Sequence, residues 1–185
     1  MKILALIGSL RAASFSKKLA QAAAAAAPEG TTIEIVDGRE LPLYDQDLDG
    51  EEKPAAVQAL LDQVSAADGL LFVSPEFNYG IPGTLKNLID WASRPAFNSP
   101  LKGRPSVIMT HSPAPGGGAR AHSQLASVLG GTLTPLYVIP GFVVGGVHEQ
   151  FDADGTLTNE LTKTRLDRTL SGFVEWAEKN PVPRG

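Results

Sequence analysis

Runs of apolar residues of strand length recur along the chain at Ile3–Ile7, Ile33–Val36, Leu70–Val73, Val107–Thr110 and Leu136–Ile139. The stretches between them follow a helical period instead. Leu19, Ala22, Ala23 and Ala26 predict a first helix ended by Pro28 and Gly30, with the alanine run Ala22–Ala27 as a thin packing face. Val57, Leu60, Leu61 and Val64 behind Pro54 predict a second. Leu85, Leu88, Ile89 and Ala92 predict a third from near Pro82 to about Ser93, closed by Pro95. A fourth follows Gly116–Gly117–Gly118 with Leu125 and Leu129 on one face, and a fifth spans roughly Thr158 to Glu178 with Leu161, Leu166, Leu170, Phe173, Val174 and Ala177 inward. Strands alternating with helices predict an α/β fold, a parallel sheet with helices on both faces, because right-handed crossovers put them there.

Two segments stand outside this alternation. Tyr44–Lys53 carries Asp45, Asp47, Asp49, Glu51 and Glu52, but the spacing does not match a calcium loop and the segment reads as a solvated surface loop. Pro140–Gly155, with Gly141, Gly145 and Gly146, reads as a loop or hairpin inserted before the last helix, at a subunit contact and not as a separate domain. One domain over residues 1–185 is expected.

Composition removes several classes of function. With 16 Lys and Arg against 20 Asp and Glu, and no basic run, duplex nucleic acid is disfavoured as a partner. The absence of cysteine removes disulfides, thiolate metal sites and cysteine nucleophiles, and favours the cytoplasm. The apolar start Met1–Ile7 meets Gly8 and Arg11 too soon for a secretory signal and reads as a buried strand; no segment approaches a membrane span of about 20 apolar residues.

Chemistry concentrates in three loops that a parallel sheet would bring to one edge. After the first strand, Gly8–Lys18 offers Ser9, Arg11, Ser14 and Ser16 ahead of a helix start, donors suited to a phosphate. The same serines would equally cap the helix with no ligand present. The loop lacks G-x-G-x-x-G and G-x-x-x-x-G-K-[ST], which disfavours dinucleotide and triphosphate sites and leaves a monophosphate. Ser74–Trp91 puts a stiff, aromatic, glycine-punctuated loop after a buried strand, a wall for a flat ligand, and His111–Arg120 adds a glycine-rich strip that a ring edge can approach. A phosphate at one end and a polar ring at the other describe a phosphorylated flavin.

Gly8–Ser9–Leu10–Arg11 with Ser14–Phe15–Ser16, then Pro75–Glu76–Phe77–Asn78–Tyr79 with Pro82–Gly83–Thr84–Leu85–Lys86–Asn87 and Asp90–Trp91, then Gly117–Gly118–Ala119–Arg120, resemble the NADPH-dependent FMN reductase family, above all its chromate, quinone and azo-dye reductase members. The resemblance implies a flavodoxin-like three-layer fold with five parallel strands in the order 2-1-3-4-5 and FMN at the carboxyl edge. It implies that Ser9, Arg11, Ser14 and Ser16, with the Phe15 amide, surround the FMN phosphate. Pro75, Glu76, Phe77, Asn78 and Tyr79 would line the isoalloxazine, largely through the main chain, with Ser112 and Gly117 at its pyrimidine side. Members commonly carry tyrosine where Phe77 stands and many carry asparagine where Ser16 stands, so a hydroxyl contact at the first position is lost here.

The activity so implied is an FMN-dependent NAD(P)H oxidoreductase, with NADPH or NADH as donor, acting by ping-pong on quinones, azo compounds, free flavin or metal oxyanions such as chromate. A homodimer or homotetramer with FMN near the interface is implied as well. The cofactor carries the electrons, so no catalytic side chain and no metal are expected. His111, His122 and His148 are assigned surface or packing roles, Glu76 is assigned to holding its loop through backbone N–H groups ahead of substrate contact, and Trp91 to packing, with Arg120 open to pairing across subunits. Two alternatives stand beside the enzyme: a flavodoxin-type electron carrier, disfavoured by a net charge of only −4, and a non-catalytic flavin-binding member of the fold.

Overall fold

The computed structural model describes residues 1–138 and 141–182. Five strands, β1 (Lys2–Ile7), β2 (Thr32–Asp37), β3 (Gly69–Pro75), β4 (Ser106–His111) and β5 (Phe142–Val144), form one parallel sheet in the order β2-β1-β3-β4-β5. Five helices alternate with them: α1 (Phe15–Ala25), α2 (Ala55–Ala66), α3 (Gly83–Ala92), α4 (Ala119–Gly131) and α5 (Glu160–Lys179). The flavodoxin-like order 2-1-3-4-5 is therefore the one expected.

Strand side chains alternate between two cores because the strand period is two. Ile3, Ala5, Ile7, Leu71, Val73, Val107 and Met109 pack with Leu19, Ala20 and Ala23 of α1 and with Leu166, Leu170 and Phe173 of α5. Leu4, Leu6, Leu70, Phe72 and Ile108 face the other way, onto Val57 and Leu61 of α2, Leu85 and Leu88 of α3, and Leu125 and Leu129 of α4. β3 and β4 are buried at every position, which is why they read as unbroken apolar runs. The α1 alanines form the thin face expected of them and let that helix lie close to the sheet.

Three local expectations are corrected. The fifth strand is Phe142–Val144, inside the segment read as an inserted loop; of the run Leu136–Ile139, Leu136 makes one isolated parallel bridge to Ser106, and Ile139 lies outside the described residues. That bridge is made by the Pro135 carbonyl and the Tyr137 amide with Ser106, and Pro135, which has no amide donor, cannot extend it toward the N-terminus. Leu161 is 70% exposed and Thr162 takes the inward place, its hydroxyl donating to Gln150 Oε1 at 2.7 Å. Leu166, Leu170, Phe173 and Ala177 set the helical phase, and the position four before Leu166 is Thr162.

The acidic loop is solvated as expected at Asp45, Asp47, Glu51 and Glu52, and the third correction is confined to Asp49. Asp49 is covered, its side chain 4% exposed, and it pairs with Lys53 Nζ at 2.8 Å and with Arg94. Burial works to raise this carboxyl, but hydrogen bonds and charge from Lys53 and Arg94 outweigh it and hold it below the usual carboxylate range. The loop also closes over α3: Trp91, fully buried, donates to the Pro42 carbonyl at 2.8 Å and meets Tyr44 edge-on at 4.9 Å. Asp49→Asn is expected to destabilise the protein by about 1–3 kcal/mol at neutral pH. Because the folded carboxyl sits below its ordinary pKa, the difference from wild type is complete above the carboxylate range and shrinks as pH falls through the folded value, which thermal melts over a pH series will read.

Candidate active site

The chain leaves β1 toward β2 on one side and leaves β3 toward β4 on the other, so the loops above these two neighbouring strands diverge and open a crevice at the carboxyl edge. Its floor is tied together by hydrogen bonds to main-chain carbonyls. Gly8 N donates to the Val73 carbonyl at 2.8 Å, Thr84 Oγ1 to the Gly8 carbonyl at 2.8 Å, and Glu76 N to the His111 carbonyl at 3.2 Å.

On the first loop, Ser14 is the N-cap of α1, its Oγ accepting from the amides of Ser16 at 3.1 Å and Lys17 at 3.4 Å. As an acceptor in both bonds, the Ser14 hydroxyl still has its own proton to give. No acidic residue stands in the first turn of α1, so the positive end of the helix dipole is not offset from within the helix. Arg39 holds the loop by donating to the Leu10 carbonyl at 2.8 Å. A cavity of about 160 Å³ opens beside it over the ends of β1 and β2, bordered by Ser9, Arg11, Lys17, Arg39 and the Asp37 carboxylate. Lys17 lines it from the first turn of α1. The Phe15 side chain turns away, packing against His111 and Phe151 with centroids 6.4 and 6.0 Å off, which leaves its amide as the group it can offer a ligand. Ser16 departs most from expectation: fully buried, its Oγ lies 2.8 Å from His111 Nε2 and points into the protein.

The second loop is a two-residue turn closed at both ends, Phe77 N to the Gly80 carbonyl at 2.9 Å and Gly80 N to the Phe77 carbonyl at 3.0 Å. Asn78 (φ 48°) and Tyr79 (φ 66°) are both left-handed, the signature of a type I′ turn. Tyrosine is disfavoured in that region, so the turn is held from outside. Ile81 N donates to Gln124 Oε1 at 2.7 Å, and Glu76 Oε2 accepts the amides of Arg120 and Ala121 at 3.0 and 3.1 Å. Glu76 is thus an N-terminal anchor for α4, with Arg120 Nη1 3.6 Å from its other oxygen. Its side chain takes the loop-supporting role and only its main chain is left for a ring. Phe77 is 52% and Tyr79 73% exposed, and the Arg120 guanidinium sits 4.4 Å from the Tyr79 ring.

On the third loop, Ser112 N donates to the Val144 carbonyl at 3.1 Å and Ser112 Oγ accepts from Ala114 N at 3.1 Å. Gly117 (φ 59°) is packed so tightly that a Cβ would stand 2.7 Å from both Gly145 N and Val143 Cγ1. Glycine is required there by the neighbouring strand end, whether or not a ligand approaches.

The twelve residues singled out from the sequence therefore gather at one edge, and beside them His111 takes the second of the surface or packing roles assigned to it. Its signal was parity: Val107, Met109 and His111 point to the same face, toward α1, so a histidine closes an otherwise apolar row. Burial lowers this imidazole to about 4 and keeps it neutral. His148 stays at the surface, 3.5 Å from Glu149, and His122 lies half-buried beside Gly141. A larger cavity of about 580 Å³ lies elsewhere, between β4, α4 and α5, with Val107, Ala126, Phe142 and Arg165 on its walls.

Comparison with known proteins gives the same picture. The family described as NADPH-dependent FMN reductase matches residues 1–149. A 2-hydroxy-1,4-benzoquinone reductase of a Burkholderia species is 37% identical over 98% of this chain and 99% of that protein. A quinone reductase of Escherichia coli K12 is 35% identical over 97% of this chain and 96% of that protein. The solved structure of FerB, a flavoenzyme NAD(P)H:(acceptor) oxidoreductase from Paracoccus denitrificans, superposes with a TM-score of 0.88 at 32% identity, covering 97% of this chain and 98% of that one. This chain belongs to the NADPH-dependent FMN reductase family. It is accordingly an oxidoreductase that works with FMN and a reduced nicotinamide nucleotide.

Glu76→Ala removes the acceptor for two helix amides and frees the strained turn. It is expected to cost about 1–2 kcal/mol of stability and to weaken FMN binding, with Glu76→Gln intermediate, as thermal melts and a flavin fluorescence titration will report.

Proposed function

We propose that the carboxyl-edge crevice holds FMN, its phosphate among Ser9, Arg11, Ser14 and the Phe15 amide and its ring against Pro75–Tyr79, and that the enzyme uses NAD(P)H to reduce quinones. The observation that carries this reading is the convergence on one crevice of an unoffset helix N-terminus and a rigid, solvent-facing turn. The donors fit a phosphorylated flavin: a hydroxyl proton, a guanidinium and a helix start suit a dianion. The closed turn leaves the Asn78 and Tyr79 amides outside its own two bonds, where the polar edge of a ring can use them, and the Glu76 anchor keeps them from collapsing. Ser112 and Gly117 bound the far end. Ser16 is proposed here as a support for the phosphate end, since its hydroxyl faces His111.

When bound, FMN supplies the redox chemistry, taking hydride from NAD(P)H and passing electrons to an acceptor in two half-reactions. The protein's residues bind, orient and exclude water. Glu76 is committed to α4 and His111 is neutral and buried, so neither is placed to transfer a proton to a substrate. Donor and acceptor are inferred to occupy the solvent-facing side of the Phe77–Gly80 turn one after the other, in ping-pong order. Quinones lead as acceptors because the relatives named above are quinone reductases. Azo compounds, free flavin and chromate are proposed as further acceptors, needing only approach to an exposed ring. Phe77 and Tyr79, exposed at the mouth, support a homodimer or homotetramer with the site near the interface. No helix among the described residues is long and apolar enough to cross a membrane, and with no cysteine in the chain a cytoplasmic location is proposed.

Steady-state oxidation of NADPH and NADH by the FMN-loaded protein, with quinones, azo dyes, free flavin and chromate as acceptors, tests the reading. Quinones are expected to turn over fastest, with parallel double-reciprocal lines. A protein that retains FMN yet leaves NADPH and NADH untouched is an electron carrier, and the proposal fails. Arg11→Ala is expected to weaken FMN binding at least tenfold through loss of a charged contact.

A further inference from the structure

His111 ends β4 on the face that Val107 and Met109 fill with apolar side chains, and an apolar residue would continue that row. Instead an imidazole only 4% exposed sits there, with Nε2 2.8 Å from Ser16 Oγ and Nδ1 without a hydrogen-bond partner. The neutral ring carries one N–H and the serine one O–H, so two donor protons meet a single hydrogen bond. Whichever tautomer forms, burial of the unmatched group opposes folding. Such departures from local consistency mark places where position matters more than stability. The bond joins two elements that bound opposite ends of the crevice. Ser16 is the second residue of α1, beside the Phe15 amide and two residues from the Ser14 hydroxyl, and His111 immediately precedes Ser112 of the third loop. The edge-on contact of Phe15 with the same imidazole, centroids 6.4 Å apart, makes His111 the common seat for the first turn of α1.

Resting on the FMN reading above, we propose that His111 is a positioning residue for the phosphate end of the site: through its hydrogen bond to Ser16 it fixes the first turn of α1 on the end of β4, and so sets where the Phe15 amide, the Ser14 hydroxyl and Arg11 meet the phosphate. His111 itself touches neither phosphate nor ring. Its contribution is therefore specific to the phosphorylated ligand, and riboflavin, which has the same ring and no phosphate, separates this role from general support of the fold.

The test is titration of the apoprotein with FMN and with riboflavin, read by flavin fluorescence, for wild type, Ser16→Ala, His111→Phe, the double variant and His111→Gln. Ser16→Ala and His111→Phe are each expected to raise the Kd for FMN about tenfold while moving that for riboflavin less than twofold. The double variant is expected to be no weaker than either single one, because both remove the same bond. His111→Gln, which keeps a side-chain N–H, is expected to recover most of the loss. Parallel weakening of FMN and riboflavin, or single effects that multiply in the double variant, overturns the proposal. Should His111→Phe fail to fold, Ser16→Ala decides alone, and an unchanged ratio of the two affinities is then sufficient to reject it. A wild-type protein that binds neither flavin overturns the FMN reading itself, an outcome distinct from wild type binding FMN tightly while the variants keep the same FMN to riboflavin ratio.

Discussion

The parallel pairing of β1 with β3, with their following chain segments leaving to opposite sides, is the constraint from which the site follows. It requires both strands to be buried on both faces, and it requires the loops above them to part. The two loops cannot drift once parted, because the Gly8 amide is held by the end of β3 and the Gly8 carbonyl by Thr84 in the first turn of α3. A crevice of fixed width is thus a property of the sheet and not of any one side chain.

What the side chains add is rigidity at the rim. The left-handed backbone suits Asn78 but is unfavourable at Tyr79, and the turn persists because Gln124 and the Glu76 anchor tie its ends to α4. Glu76 also offsets the dipole of α4, so one carboxylate serves helix and loop together. At the other rim the Ser16–His111 bond gives α1 a similar attachment to β4. Both rims are fastened to secondary structure, which suits a cofactor that must be held in one orientation while successive substrates come and go.

Four strands and all five helices were legible in the sequence, because burial on both faces leaves unbroken apolar runs at β1, β3 and β4, the edge strand β2 keeps an alternating pattern, and one-sided burial leaves a helical period. The fifth strand was not: the run read for it, Leu136–Ile139, has strand-like composition and lies between two prolines in the sequence, whereas Phe142–Val144 is three residues long and sits among glycines. Leu161 misled because a leucine outweighs a threonine on any hydropathy scale, while the phase of α5 is set by residues two turns further on. The three loops were legible as chemistry, since hydroxyls, arginine, glycine and proline cluster there. Their internal wiring was not, because pairings such as Asp49 with Arg94, Glu76 with the α4 amides and Ser16 with His111 join residues 44 to 95 positions apart, which no local pattern encodes.

The central claim is that the crevice above β1 and β3, and no other hollow in the protein, is the flavin site. A crystal structure of the FMN-loaded protein tests it most directly. The expected result is the phosphate within hydrogen-bonding distance of Arg11, Ser14 and the Phe15 amide, and the ring lying on the Phe77–Gly80 turn. Flavin seated instead in the cavity of about 580 Å³ between β4, α4 and α5 would contradict it.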